Sequence, residues 1–232
     1  MIEVVKDTDV GNIVNVNTFS SEGITQAKAN KLVYTGQVDV IFSPRLYDAA
    51  HLFAADHRGR LFTIIRHPVE RINFYFNLIS TNPDHPSYDP SLAGVDIESY
   101  AGGKEDRLEF NYLTKLFSGN LDKSSNELTE YDLNTAKEVI RRKVLIGLES
   151  KKAESIHRFE EFFDMTFEDE NSDDELCGKD LPLFSKSLDL GPPLAPMDPV
   201  WNYLMERNSL DLDLFAYAER LFQEQGELLF SP

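Results

Sequence analysis

Leu61-Phe62-Thr63-Ile64-Ile65-Arg66-His67-Pro68-Val69-Glu70-Arg71-Ile72-Asn73-Phe74-Tyr75-Phe76-Asn77-Leu78 is the stretch on which the fold turns. From Leu61 to Ile65 every residue but Thr63 is apolar, as in a strand buried on both faces. His67-Pro68 stops that strand, and Val69–Ile79 has helical spacing. Pro68 suits a first helical position, where its missing N–H costs nothing, and Glu70 favours the positive end of the helix dipole. Arg66 therefore leaves the carboxyl end of a strand beside a helix amino end. In an open α/β sheet that is where anionic ligands bind. An arginine there can grip a phosphate through two parallel N–H bonds, or it can salt-bridge a neighbouring carboxylate. The pattern alone leaves both readings open.

Outward from this segment, strand-like and helix-like stretches alternate. Ile13–Asn17 reads as a strand, Thr18–Gly23 as a turn, and Ile24–Leu32 as a short helix with Ser20 or Ser21 as its N-cap. Val38–Phe42 reads as another strand and Leu46–Ala55 as a helix. Asn82–Gly103 is rich in Pro, Asp, Ser and Gly and reads as a long surface loop. Glu109–Phe117, Glu130–Val144 and Ala153–Phe163 carry helical spacing, and Val144–Leu148 is a short apolar strand ended by Gly147. One last helix is expected over Trp201–Gln225. The alternation implies an α/β fold with a mostly parallel sheet. The expected organisation is an α/β core over 1–165, an acidic then Pro-rich segment over 166–199, and a C-terminal helix over 200–232 packed on the core.

Composition narrows the partners. The 232 residues are 41% hydrophobic and 11% aromatic, enough for a real core. A net charge of −17 argues against nonspecific binding to nucleic acid or to an anionic membrane. No run is long and apolar enough to span a bilayer, and Met1–Asn12 lacks the apolar region of a signal peptide. The charge is unevenly spread, however. Arg58, Arg60, Arg66 and Arg71 face a single acid, Glu70, in their stretch, which predicts a locally basic pocket; Glu168–Glu175 is dominated by acids and reads as a solubilising insert. The single cysteine, Cys177, excludes an intrachain disulfide.

Three blocks carry a family resemblance. Leu61–Phe76 resembles the 3′-phosphate motif of sulfotransferases, an apolar strand running into Arg-Asp-Pro-x-Glu-Arg and then Ser and an aromatic. Asn111-Tyr112-Leu113-Thr114-Lys115-Leu116 is similar to the Asn-x-x-Thr-Arg-x-Leu segment of the Golgi carbohydrate-type branch. Gly147-Leu148-Glu149 followed by Glu154-Ser155 resembles that branch's Gly-Leu-x-Glu…Glu-Ser helix opening. The resemblance implies a P-loop-NTPase-like three-layer domain lacking part of its N-terminal phosphate-loop unit. It implies transfer of a sulfuryl group from 3′-phosphoadenosine-5′-phosphosulfate to a carbohydrate hydroxyl, without a metal, in the Golgi lumen. Arg66 would contact the 3′-phosphate. The family's aspartate is His67 here and its phosphate-binding serine falls at Phe74, with Asn73 as the neighbour able to replace it. The family's lysine-bearing 5′-phosphosulfate loop has no counterpart. The nearest turn, Thr18-Phe19-Ser20-Ser21-Glu22-Gly23, offers Ser20 and Ser21 as phosphate donors, or is a plain helix cap. A catalytically inactive sulfotransferase-like binding or structural module is the alternative.

No catalytic base stands out. His51 and His57 flank a helix end, and His85 sits in the long loop. Arg141-Arg142-Lys143 reads either as part of an anionic-acceptor groove or as a solvated helix end whose cations suit the dipole.

Overall fold

In the computed structural model, which describes residues 16–36, 38, 40–85, 87–102, 109–164, 194–196 and 198–229, two strands pair in parallel. Strand β1 (Leu61–Ile65) lies beside β2 (Val144–Leu148), with Leu61 opposite Val144 and Ile65 opposite Leu148. The helices in chain order are α1 (Ser21–Ala29), α2 (Leu46–Ala50), α3 (Pro68–Thr81), α4 (Ile97–Ala101), α5 (Tyr112–Ser118), α6 (Glu130–Lys143), α7 (Lys152–Phe163), α8 (Pro199–Arg207) and α9 (Ser209–Leu229). This is a mixed helical fold around a small parallel sheet, α/β in class.

Strand alternation sorts the side chains. Ile65, Val144, Ile146 and Leu148 join residues of α5, α6 and α9, among them Phe117, Ile140, Leu214 and Phe222, in one buried cluster. On the other face Phe62 packs its ring 4.9 Å from Phe159 and 5.2 Å from Phe163, both of α7. Gly147 does not end β2; it sits inside the strand because α7 crosses so closely. A Cβ there would stand 2.7 Å from the Phe159 ring and 2.9 Å from Ser155. Helices on both faces explain why β2 is buried at every position.

The outer edge of β2 has no strand partner among the described residues. Gln225 of α9 takes its place: its amide donates to the Val144 carbonyl (2.8 Å) and accepts from the Ile146 N–H (2.9 Å). One side-chain amide thus supplies two of the backbone hydrogen bonds on the outer edge of a buried strand.

Several elements depart from the sequence expectation. Val38 and Val40–Phe42 form no strand. Val38 and Ile41 pack with Ile24, Leu32 and Leu52, but hydroxyls replace ladder bonds, Thr18 donating to the Phe42 carbonyl and Ser43 to the Thr18 carbonyl. Val16 and Asn17 are likewise not strand, and the rest of the expected strand Ile13–Asn17 lies outside the described residues, as do Cys177 and the acidic Glu168–Glu175 run. The helix expected over Leu46–Ala55 closes at Ala50. The excursion after α3 is not a bare surface loop. It contains α4, and its Leu92 and Ala101 are buried with Val69, Ile72, Phe76 and Ile79 of α3.

The helix expected over Trp201–Gln225 is two helices, broken at Asn208. That buried side chain bonds back to the Leu204 carbonyl (2.7 Å) and accepts from the Asn111 N–H (3.0 Å). Asparagine competes with the backbone ladder in this way, and here the competition ends a helix. No helix among the described residues is long and apolar enough to cross a membrane.

Candidate functional site

The parallel register carries each strand into a charged residue. One step beyond the Ile65–Leu148 pair stand Arg66 and Glu149, and Arg66 Nη2 donates to Glu149 Oε1 at 3.1 Å. The two side chains remain 27% and 39% exposed, so solvent screens the pair and its contribution to stability is about 0.5–1 kcal/mol. α3 adds a third member. Phe74, two turns into the helix, lies 4.2 Å below the guanidinium carbon of Arg66. The aromatic that stands where the family motif has serine therefore still addresses the arginine, through its π face. Arg66 Nε and Nη1 make no hydrogen bond among the described residues.

Ser155 fixes the far side of the site. Completely buried on α7, its hydroxyl accepts from the Leu148 N–H (2.9 Å) and lies 2.9 Å from the Lys151 carbonyl, to which it can donate. It thereby clamps the end of β2 and sets the backbone from which Glu149 projects, at the start of a 3₁₀ turn over Glu149–Lys151.

His67, between Arg66 and Pro68, is held by the C-terminal helices. Its ring stacks on Trp201 of α8 (5.2 Å, 16°) and meets Phe215 of α9 edge-on at 5.3 Å. Nδ1 is buried without a hydrogen-bond partner. Burial lowers the pKa of His67 from its ordinary value, with the charges of Glu70 and Glu219 opposing. A neutral imidazole at this point leaves Arg66 as the cation of the strand end.

The other residues expected at the site go elsewhere. Ser20 caps α1, accepting from the Gly23 N–H at 3.1 Å, and the Ser21 carbonyl accepts from Thr25 inside the same helix. The Thr18–Gly23 turn is closed on itself: a Cβ on Gly23 would fall 1.8 Å from the Asn17 carbonyl oxygen. With a carbonyl filling the concave side and Glu22 in the first turn, it does not fit a phosphosulfate. Asn73 turns along α3 and accepts from Asn77 (3.2 Å).

The four arginines do not pool into one basic pocket either. Arg60 precedes β1 and lies over Phe162 (5.4 Å), so the strand separates it from Arg66 by about 20 Å. Arg71 runs towards α5, donating to the Glu109 carbonyl at 2.7 Å. Arg141 and Arg142 both pair with Glu138 on their own helix, the solvated helix end of the two readings. His57 packs at a tilt against Tyr34 (4.2 Å, 48°), and His85 accepts from the Ser87 N–H (3.1 Å). A cavity of about 260 Å³ lined by Lys28, Lys31, His51, Leu52 and Phe53 touches none of the strand-end residues.

The second expected block also folds into a defined structure. The carboxylate of Asp211, fully buried on α9, accepts from the N–H groups of Leu113 (2.9 Å) and Thr114 (2.7 Å) and from the Thr114 hydroxyl (2.8 Å). Asn111, at φ 53°, gives α5 no side-chain cap of its own, so the cap arrives from α9. Burial raises the Asp211 pKa, against the three hydrogen bonds and the charge of Arg71, which lower it.

Inspection of motifs passes over Asp211, and it includes Glu149 in the third block without giving it a role. A signal for Glu149 was present: two apolar five-residue strands, each followed at once by a residue of opposite charge. In a parallel pair such residues meet. The chain matches no family model, no curated protein and no solved structure.

Proposed function

We propose that the chain is a sulfotransferase-like protein with a P-loop-NTPase-like core, binding 3′-phosphoadenosine-5′-phosphosulfate with Arg66 on the 3′-phosphate and passing the sulfuryl group to a carbohydrate hydroxyl. The observation that carries this reading is the placement of Arg66. It leaves the carboxyl end of a parallel strand, beside the Pro68-led amino end of α3, and among the described residues two of its guanidinium nitrogens are uncommitted and its one ion partner is the half-buried Glu149 carboxylate. The order of the sequence blocks adds support, since the Asn111 and Gly147-Leu148-Glu149 blocks fold against the same sheet. The cosubstrate would supply the activated sulfuryl group; the protein's part at Arg66 is to seat the nucleotide.

A second reading, a catalytically inactive sulfotransferase-like binding or structural module that has lost its cofactor loop, is favoured by a different observation. Phe74 covers the arginine where a serine would donate, and the Thr18–Gly23 turn does not fit the 5′ end of the nucleotide. Calorimetric titration with adenosine 3′,5′-bisphosphate tests both readings at once. Micromolar binding lost in Arg66→Ala supports the nucleotide seat, and sulfation of a carbohydrate acceptor then separates enzyme from module. Absence of heat at millimolar ligand overturns the first reading in favour of the second.

A further inference from the structure

We propose that Glu149 is the affinity-setting residue of the Arg66 seat, a carboxylate of the chain itself that competes with the incoming anion; this rests on the reading of Arg66 as a phosphate ligand. The geometry is specific. The register delivers both residues to the same edge of the sheet, where the carboxylate takes Nη2 at 3.1 Å. A phosphate gripped by two parallel N–H bonds needs two guanidinium nitrogens on one edge. Nη2 carries two N–H groups, so the one given to Glu149 half blocks one of the two bidentate edges, and the carboxylate's charge bears on the other.

Phe74 sharpens the competition. Its ring at 4.2 Å holds one face of the guanidinium, so Arg66 cannot swing away from Glu149 to meet a ligand without losing that contact. Movement falls to Glu149. Ser155 clamps the backbone at Leu148 through its hydroxyl, and the Glu149 carboxylate beyond it is 39% exposed. The carboxylate can therefore leave for solvent while the strand end stays in place.

Two electrostatic effects act in the same direction. The ligand must displace an existing ion pair, and a phosphate seated beside a remaining carboxylate is repelled by it. Each amounts to a few-fold in affinity at this degree of exposure, and together they give about tenfold. The penalty falls only on the phosphate that reaches Arg66, so Glu149 also sets discrimination between nucleotides with and without a 3′-phosphate.

The test is calorimetry on the intact chain with adenosine 3′,5′-bisphosphate and, as control, adenosine 5′-monophosphate. Glu149→Gln is expected to bind the bisphosphate about tenfold tighter than the parent chain, with the monophosphate unchanged. Adding Arg66→Ala to Glu149→Gln should remove the gain. Circular dichroism checks the fold, and Glu149→Ser replaces the glutamine variant should the amide disturb the 3₁₀ turn. Equal or weaker bisphosphate binding in the Glu149 variants, with parent binding still dependent on Arg66, overturns the inference and leaves Glu149 as a group that holds the arginine in position. A bisphosphate affinity that is absent throughout, or indifferent to Arg66→Ala, overturns the nucleotide-seat reading and the inference with it.

Discussion

Asp211 Oδ1 accepts both the backbone N–H (2.7 Å) and the hydroxyl (2.8 Å) of Thr114, a residue 97 positions earlier in the chain. One carboxylate therefore caps a helix and welds the C-terminal helix to the core. Asp211→Ala removes three hydrogen bonds and a charge facing Arg71, and should cost about 3–5 kcal/mol in denaturant unfolding. Asp211→Asn keeps an acceptor and should cost clearly less. Because burial raises the folded-state pKa of Asp211, the folded chain holds this proton more tightly than the unfolded one. The carboxylate's contribution to stability thus declines as pH rises from about 4 through the raised folded value, and Asp211→Asn should flatten that part of the pH profile.

Asp132 behaves in the opposite sense. Its buried carboxylate accepts from Asn120 (2.7 Å), Lys123 (2.9 Å) and the Thr129 N–H (2.8 Å). Burial raises its pKa, but these bonds outweigh burial and the net direction is down. Its stabilisation is present above the unfolded value of about 4 and is lost as pH falls through the depressed folded value. Asp132→Asn should make the unfolding midpoint less sensitive to acid, and an unchanged profile would show that the bonds carry no net charge preference.

The Gln225 amide stands in for a strand. Gln225→Ala leaves the Val144 carbonyl and the Ile146 N–H without partners in a buried edge, at a cost of about 2–4 kcal/mol. Hydrogen exchange reads the effect locally. The Ile146 amide should lose protection before the amides of α3 do.

Gly147 offers a packing test. Gly147→Ala places a methyl 2.7 Å from the Phe159 ring, and overpacking of this kind costs about 1–3 kcal/mol. Phe159→Leu in the same chain should recover part of that loss, and failure of the double variant to recover would point to backbone strain instead.

Trp201 is the chain's only tryptophan, and His67 stacks on it at 5.2 Å. A protonated imidazole quenches a stacked indole, so fluorescence should fall as pH drops through the depressed pKa of His67, with a midpoint below the usual histidine value of about 6.5. His67→Phe should abolish the titration. By linkage, the folded state's preference for neutral His67 gives stability present above about pH 6.5 and lost as pH falls through the lowered folded value.

Local pattern made much of this legible. Leu61–Ile65 and Val144–Leu148 are apolar runs bounded by turn or charge signals, Pro68 marks a helix start, and the serine pair Ser20-Ser21 announces an N-cap that Ser20 supplies. What stayed hidden depends on distant partners. Nothing near Val38–Phe42 announces that side-chain hydroxyls replace its ladder, or near Asn208 that Asn111 would stop the helix there. Arg66 was conspicuous because its chemistry is local. Glu149 was not, because its role exists only once the parallel register is set.

That register has a consequence for how the chain is made. Residues that pair across the sheet, such as Arg66 and Glu149, are 83 positions apart, and α3 to α6 lie between them. A parallel contact of such separation carries a large loop-closure entropy and forms late, after the intervening helices have condensed. During synthesis β1 must wait with one edge unpaired until β2 emerges, and β2's own edge waits longer still for Gln225. Nascent chains halted before α9 should therefore be the species that demand a chaperone.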